Sequence, residues 1–523
     1  MENWTQHLGG YVPNRRETPP PTRGLAGGGE QAAHVVAVVG RVGVEGGPPL
    51  RAATGETQPL YGQSRLSLRS GLLGGRYEQS LRPLALATAS SGGREAQSSG
   101  VQKKVESAFE RDLPMLKVGM IGAGFVAGFH ERALRSVRNV EFAGICAPKG
   151  AEELSKRARA NRLGDARVYK SISELTQAVD VVCLFAPNFA RLDIMREIAK
   201  ALEDGTQLKG IIVEKPLARN LREADTLVRI AKALNVPTAY FENQIHMPAV
   251  VQARAQLAQV EKSMGPAHLA RSAEEHGGPH EPWFWDPTTQ GGGVCCDMGC
   301  HSIACGMFML TPDGKPMDYL KAVRVNATMA LLKWGKEPWL GQLKDRGVDY
   351  STTPAEDYSS VSIEFEDPES KQRSIVQATN SWMYDAPGLR LLMETFGPGY
   401  SYTVNSLQSP AGMFISDAAA TAVLDSELAL EKSQASRGSL ILQPDEIALY
   451  GYVAEWLDAL AAFEEGRDAL LNLEYGKLIT MLIMAAYMSH EKKKTIDLTD
   501  SRTLDALEDY VPLIQQGDGK QAL

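Results

Sequence analysis

The chain has 523 residues, 43% of them hydrophobic and 23% charged, with a formal net charge of −8. That charge argues against nucleic acid or an anionic membrane as a partner, and no continuous apolar run reaches the ~18 residues that would span a bilayer. Six irregularly spaced cysteines are too few for a disulfide framework, so a reducing cytoplasm is the expected compartment.

Residues 1–114 are rich in Gly, Pro, Ser and Arg, as in Pro19-Pro20-Pro21 and Gly27-Gly28-Gly29. Such a stretch lacks the apolar surface to form a core and is expected to be disordered. Acids from Glu2 onward and the lack of an amphipathic helix argue against a transit peptide. Met115-Leu116-Lys117 opens directly onto a strand, so the alternative expectation is that Met115 is the true start and the upstream stretch a start-site error.

From Met115 strands and helices alternate. The apolar run Leu116–Ile121 reads as a buried parallel strand. It leads into Gly122-Ala123-Gly124-Phe125-Val126-Ala127, where Gly122 permits a tight turn and Gly124 lets backbone approach a pyrophosphate. A helix follows through Phe129-His130-Glu131, its N-terminus facing the phosphates. Strand, turn and helix in that order predict a dinucleotide site, with Phe125 and Val126 beside it. Further strands are expected at Glu141–Cys146, Asp180–Phe185, Lys209–Val213 and Pro237–Phe241, with helices such as Ala190–Leu202 and Leu221–Leu234 between them. This alternation predicts a doubly wound parallel sheet over 115–240.

After the second strand a carboxylate would normally bind the adenosine ribose and select NAD. The chain reads Ala147-Pro148-Lys149-Gly150 there, which tilts the expected cofactor toward NADP, with NAD as the alternative. The fourth strand of this series ends in Glu214-Lys215-Pro216. Proline keeps Lys215 out of the helical region, so the lysine stands at the carboxyl edge of the sheet, where ligands bind.

Past Phe241 the pattern changes. A helix over Ala249–Val260 precedes longer, mostly alternating strands at His268–Glu274, Lys321–Leu332, Ser359–Phe365, Arg373–Trp382 and Arg390–Phe396. They predict a second, α+β domain over 241–523 with a large open, mostly antiparallel sheet. Helices Glu446–Phe463 and Tyr475–Met488 should close the structure, with the option of packing back on the first domain. The loop Glu274–Asp286 carries His276, His280, Trp283 and Trp285. Aromatic faces and polar groups together suit a polyhydroxylated ligand; the plainer reading is that the tryptophans pack the loop.

Gly291-Gly292-Gly293 then lead to Asp297 and His301. The glycines would let backbone approach a ligand. In a helix, Asp297 and His301 lie on one face, one turn apart, where a carboxylate can tune an imidazole. Cys295, Cys296, Cys300 and Cys305 cluster around them, but no paired C-x-x-C knuckle occurs, so packing is preferred over a metal site.

Taken together, the glycine fingerprint, Glu214-Lys215-Pro216 and the Gly291-Gly292-Gly293…Asp297…His301 motif resemble the Gfo/Idh/MocA family of NAD(P)-dependent oxidoreductases from about Met115 to the C-terminus. Ala355-Glu356-Asp357-Tyr358 looks like part of that family's second domain. The resemblance implies that Pro187-Asn188 and Glu214-Lys215 meet the nicotinamide half, that Asn243 lines the pocket, and that the open sheet joins subunits into a dimer or tetramer. Where the family often has a histidine, three residues after Asn188, this chain has Arg191, which puts that contact in doubt.

The implied chemistry is reversible oxidation of a secondary hydroxyl of a sugar, cyclitol or glycoside. His301 is assigned as general acid/base, Asp297 as its orienting group or a hydroxyl ligand, and Lys215 as donor to the reacting oxygen. The alternative makes Lys215 the base. Two other classes stay open: a glycosidase using bound cofactor for transient oxidation and elimination, and a non-catalytic NAD(P)-binding regulator.

Overall fold

The computed structural model describes residues 115–203, 205–279, 281–384, 389–405, 408–415, 438–442 and 450–523. The expectations on residues 1–114 lie outside these described residues.

The first half forms β1 (Leu116–Ile121), α1 (Phe125–Leu134), β2 (Val140–Cys146), α2 (Ala151–Ala160), β3 (Arg167–Val168), α3 (Ile172–Thr176), β4 (Val181–Leu184), α4 (Arg191–Leu202), β5 (Gly210–Glu214), α5 (Leu221–Leu234) and β6 (Thr238–Phe241). All six strands run parallel in the order β3-β2-β1-β4-β5-β6. This is the doubly wound order that places a ligand crevice at the carboxyl ends of β1 and β4. Helices cover both faces of such a sheet, so β4 and β5 are buried at every residue instead of alternating. β3, only two residues long, was not expected from the sequence.

The second half begins with α6 (Pro248–Met264), β7 (Leu269–Glu275), α7 (Pro287–Gln290), α8 (Val294–Leu310), β8 (Lys321–Ala330), α9 (Trp339–Asp345), β9 (Tyr358–Glu366) and β10 (Arg373–Ser381). It continues with β11 (Arg390–Gly397), β12 (Tyr400–Asn405), β13 (Gln408–Ile415) and β14 (Gly438–Leu442). Its last elements are α10 (Tyr452–Glu464), α11 (Leu473–Lys492), β15 (Ile496–Asp497), α12 (Ser501–Glu508) and α13 (Gly519–Ala522). Among the described residues the sheet has nine strands in the order β14-β13-β12-β11-β7-β10-β9-β8-β15, and only β7 and β10 pair in parallel. β9 alternates intermediate and buried residues along its whole length, as expected for a sheet with one covered face.

α8 covers that face and has no exposed residue. With the turn before it, Pro287–Leu310 is long and apolar enough to cross a membrane by composition, yet it is wholly buried within the protein. The sequence reading missed it because Asp, His and Gly interrupt the apolar run. Gly306 lets α8 lie close on the sheet, since a Cβ there would stand 2.5 Å from Val376.

α10 returns to the first sheet. A Cβ on Gly210 would come within 2.2 Å of the Phe463 ring, and the Trp456 indole N–H donates to Nδ1 of His130 at 3.1 Å. The last helices therefore complete the first domain's packing as well as the second's.

Candidate active site

The crevice at the carboxyl edge of the parallel sheet is built first by glycine. Gly122 takes φ +114°, and a Cβ there would meet the Phe185 carbonyl oxygen at 2.7 Å, so a side chain is excluded twice. Gly124 is the opposite case: it is exposed, and a Cβ would meet nothing within 4 Å. The space over Gly124 is open at the N-terminus of α1, as approach of a pyrophosphate requires. Phe125 and Val126 begin α1 beside it, and Phe125 is 66% exposed. Gly124→Val is expected to weaken cofactor binding about tenfold or more by crowding this space, with the Tm of the cofactor-free protein unchanged. Titration of cofactor fluorescence alongside a thermal melt checks both.

β5 delivers Glu214 and Lys215. Glu214 is buried, and its carboxylate accepts from Nε2 of His130 at 3.1 Å. Burial opposes its charge, but His130, helped by Lys215 and Arg191, holds the carboxyl below its ordinary value. Nζ of Lys215 donates to the Asp297 carbonyl at 3.1 Å and lies 3.4 Å from Oδ1 of the same residue. Burial disfavours the ammonium, yet Asp297, with Glu274 and Glu214 behind it, keeps Lys215 above the ordinary lysine value. Lys215 is therefore a cation throughout the neutral range.

Arg191 explains how this strand end is held. It is 4% exposed, and its guanidinium donates to the carbonyls of Ala186 (3.2 Å), Glu214 (2.6 Å), Lys215 (3.3 Å) and Pro216. The family histidine expected here is replaced by a staple that ties the end of β4 to the Glu214-Lys215-Pro216 backbone. Asn188 is likewise committed to structure: its amide donates to the Gln290 carbonyl at 2.8 Å and to Oε1 of that side chain at 2.6 Å. Any cofactor contact at Pro187-Asn188 must come from parts other than the Asn188 side-chain NH2 group.

α8 carries Asp297 and His301 one turn apart, as expected, but their side chains are directed to different partners. Asp297 meets Lys215, and its second oxygen stands 4.0 Å from Nε2 of His276. Nδ1 of His301 is hydrogen-bonded to the carboxylate of Glu242, which follows β6 and is fully buried. The expectation that Asp297 orients His301 is thus corrected: Glu242 holds the ring. Burial works against a charged His301, and so does Lys215, but Glu242 and Glu274 outweigh them and raise its pKa above the ordinary value.

The glycines before α8 are also corrected. They admit protein rather than ligand. A Cβ on Gly293 would stand 2.2 Å from the Glu356 carbonyl oxygen, and one on Gly291 (φ +103°) 2.8 Å from Cα of Arg219. The Glu356 side chain accepts from the amides of Gly293 and Cys295 at 3.0 Å and from Tyr487 Oη at 2.6 Å. It caps the N-terminus of α8, where the helix dipole favours an anion. Burial still pushes its carboxyl up to about 7. Asp357 accepts from the amides of Leu332, Lys333 and Trp334 at 2.7–2.8 Å.

Of the other expected residues, His276 and half-buried Trp283 border the loop leading to Asp297. Trp285 does not: it is 1% exposed, its indole N–H is spent on the Pro279 carbonyl at 3.1 Å, and it packs among Trp334, Tyr350 and Trp382. It is a core residue. Asn243 is mostly buried and donates to the Tyr450 carbonyl at 2.7 Å, so its amide anchors a loop rather than facing a pocket. His280 lies outside the described residues. Lys149 is exposed after β2, one residue before the N-cap of α2. Burial raises the pKa of every cysteine on α8, keeping the thiols neutral and suited to packing. Cys300 alone of them comes close enough to Glu242 and His301 to share an ion.

Residues 116–241 match the family described as oxidoreductases with an NAD-binding Rossmann fold. That family is Gfo/Idh/MocA, and the match lies over the parallel-sheet half of the described chain. Two curated relatives are glucose-6-phosphate 3-dehydrogenase of Bacillus subtilis, 29% identical over 124 residues, and D-glucoside 3-dehydrogenase of Escherichia coli, 28% identical over 255 residues. The first alignment takes in 23% of this chain and 32% of the relative; the second, 48% and 67%. The levoglucosan dehydrogenase structure with NADH and levoglucosan superposes with a TM-score of 0.56 at 18% identity, over 73% of this chain and 98% of that one. It shows that the two proteins share a fold.

Proposed function

We propose that the protein is a nicotinamide-dependent dehydrogenase that oxidises a secondary hydroxyl of a pyranose sugar or glycoside. The observation that carries this reading is the meeting of Lys215, Asp297 and Glu242-held His301 at the sheet edge that bears the glycine turn. The two relatives named as 3-dehydrogenases support a sugar as substrate and its 3-hydroxyl as the reacting group. Half-buried Trp283, near Phe189 and Phe284, supplies an aromatic face for a sugar ring.

When bound, the nicotinamide supplies the hydride acceptor. The open space over Gly124 and the N-terminus of α1 fit its pyrophosphate. Lys215, held protonated, donates to the reacting oxygen and stabilises negative charge that develops there. A lysine held as a cation is a poor base, which favours His301 as the proton acceptor. Asp297 keeps Lys215 in place and leaves its second oxygen toward His276 and a neighbouring hydroxyl.

For the cofactor we infer a preference for NADP. Exposed Lys149 stands where an acid would otherwise select NAD, and Arg132 and Arg157 line a groove of about 360 Å³ beside Gly124 and Gly150, although Glu153 lines it too. The test is the full chain with NAD⁺ or NADP⁺ and a panel of sugars, glycosides and cyclitols, read at the reduced-cofactor absorbance band. Reduction with a glucoside, faster with NADP⁺ and less so in Lys149→Ala, is the expected result. No reduction across the panel would refute the dehydrogenase reading, and a strong NAD⁺ preference would refute the role of Lys149.

A further inference from the structure

We propose that Glu242 and His301 act as a dyad, in which the buried carboxylate fixes the tautomer and orientation of the imidazole that takes the substrate's proton. The proposal rests on the reading of His301 as proton acceptor and adds a positioning residue to it.

The two residues come from distant parts of the chain, one beside the parallel sheet and the other on the helix that covers the second sheet. Glu242 follows β6, whose last residue Phe241 pairs with Glu214, so Glu242 stands at the same sheet edge as Lys215. His301 lies in the second turn of α8. Oε1 of Glu242 takes the hydrogen bond from Nδ1 of His301 and a weaker one from the Gln244 amide at 3.3 Å. A carboxylate only accepts, so Nδ1 carries the proton. In the neutral ring the lone pair is then on Nε2, the nitrogen free to receive a hydroxyl proton. When that proton arrives the ring becomes cationic, and the carboxylate against Nδ1 stabilises it without itself being protonated. This is the division of labour between the carboxylate and the histidine of hydrolytic triads.

Two further observations favour a dedicated role. Among the described residues, Oε2 of Glu242 is buried without a hydrogen-bond partner, and no arginine or lysine side chain bonds this carboxylate. Asp297, one turn away on α8, is engaged by Lys215 and cannot serve the ring. The ionisable groups around His301 are Glu242 after β6, Glu274 on β7 and Lys215 at the end of β5, with Asp297, Cys300 and Cys305 on its own helix. Glu274 is shared with the Gln244 side chain at 2.9 Å, which leaves Glu242 as the carboxylate in direct contact. Because the base works only when neutral, activity should be lost as pH falls through the pKa of His301. Removing the Glu242 charge lowers that pKa and moves the acid limb to lower pH.

The experiment uses the full chain with ¹⁵N-labelled histidine, the His301 signals being those lost in His301→Asn. The wild-type ring should titrate as the Nδ1–H tautomer. Glu242→Gln should lower its midpoint by about one pH unit or more. The acid limb of kcat/KM, measured with methyl β-D-glucopyranoside and NADP⁺ or NAD⁺, should move by the same amount. Glu242→Asp should restore part of the wild-type midpoint, and the affinity for reduced cofactor should not change. An Nε2–H tautomer in the wild type, or a His301 midpoint unmoved in both Glu242 variants, overturns the dyad. The two failures read differently. An active His301→Asn removes the base reading and the dyad's purpose together, whereas an inactive His301→Asn with an unmoved midpoint removes the dyad alone.

Discussion

Lys215→Met is expected to lower kcat for sugar oxidation by about 10²–10³-fold, the range found when one donor to a developing oxyanion is removed. Methionine keeps the length and the apolar stem of lysine but has no proton to give. In the wild type Nζ is fixed by the Asp297 carbonyl at 3.1 Å and faces its carboxylate. That pairing holds the ammonium above the ordinary lysine value, so Lys215 remains a donor well past neutral pH. Two consequences separate this role from general-base catalysis by lysine. No alkaline gain in rate should come from deprotonating Lys215 below about pH 10. The affinity for reduced cofactor should stay within about threefold in the variant, because the pyrophosphate end is built by Gly122 and Gly124, on another strand. Steady-state kinetics over pH, with fluorescence titration of the cofactor, would show this. A Met variant within about threefold of wild-type kcat would sink the donor role.

The parallel sheet was legible because its signal is local. Leu116–Ile121 runs straight into Gly122 and Gly124, and the strand that ends at Glu214 runs into Pro216, so strand ends and turn residues read out together. The place of Lys215 at that edge was legible for the same reason, and the shared helix of Asp297 and His301 from their four-residue spacing. What failed were inferences about direction. Asp297 and His301 share a helix face, yet one reaches β5 and the other the end of β6, and spacing along a helix does not reveal which neighbour each will meet. Glu242 was missed because its partner lies 59 residues away. A carboxylate directly after a parallel strand, level with Lys215, was the available clue. The triple glycine misled in the same way: it signals close approach of backbone, and what approaches is Glu356 and Tyr487. Trp283 and Trp285 are two residues apart in one loop, and only packing with Trp334 and Trp382 distinguishes the buried one. In the second sheet β12 was passed over, although Gly397-Pro398-Gly399 is a turn between two alternating segments.

Arg191→Met should be the most destabilising change at the site. In the wild type one guanidinium serves four backbone carbonyls on two loops, at the ends of β4 and β5. Burial lowers its pKa to about 10, but Glu214 opposes that fall and the group remains cationic at neutral pH. Methionine fills much of the volume and satisfies none of the carbonyls. Breaking a buried charged network of this kind costs about 3–5 kcal/mol, enough to lower Tm by about 5 °C or more. The chain has two domains, so the melt should be followed by near-ultraviolet circular dichroism as well as calorimetry, to register local loss around the site. Turnover should fall further than stability alone explains, because Lys215 takes its position from the backbone that Arg191 holds. Arg191→Lys tests the geometry against the charge. A single ammonium can reach one or two of the carbonyls but not all four, so it should recover part of the Tm and little of kcat. If the lysine variant recovered kcat fully, charge alone would suffice, and the planar staple between the two strand ends would not be what sets Lys215.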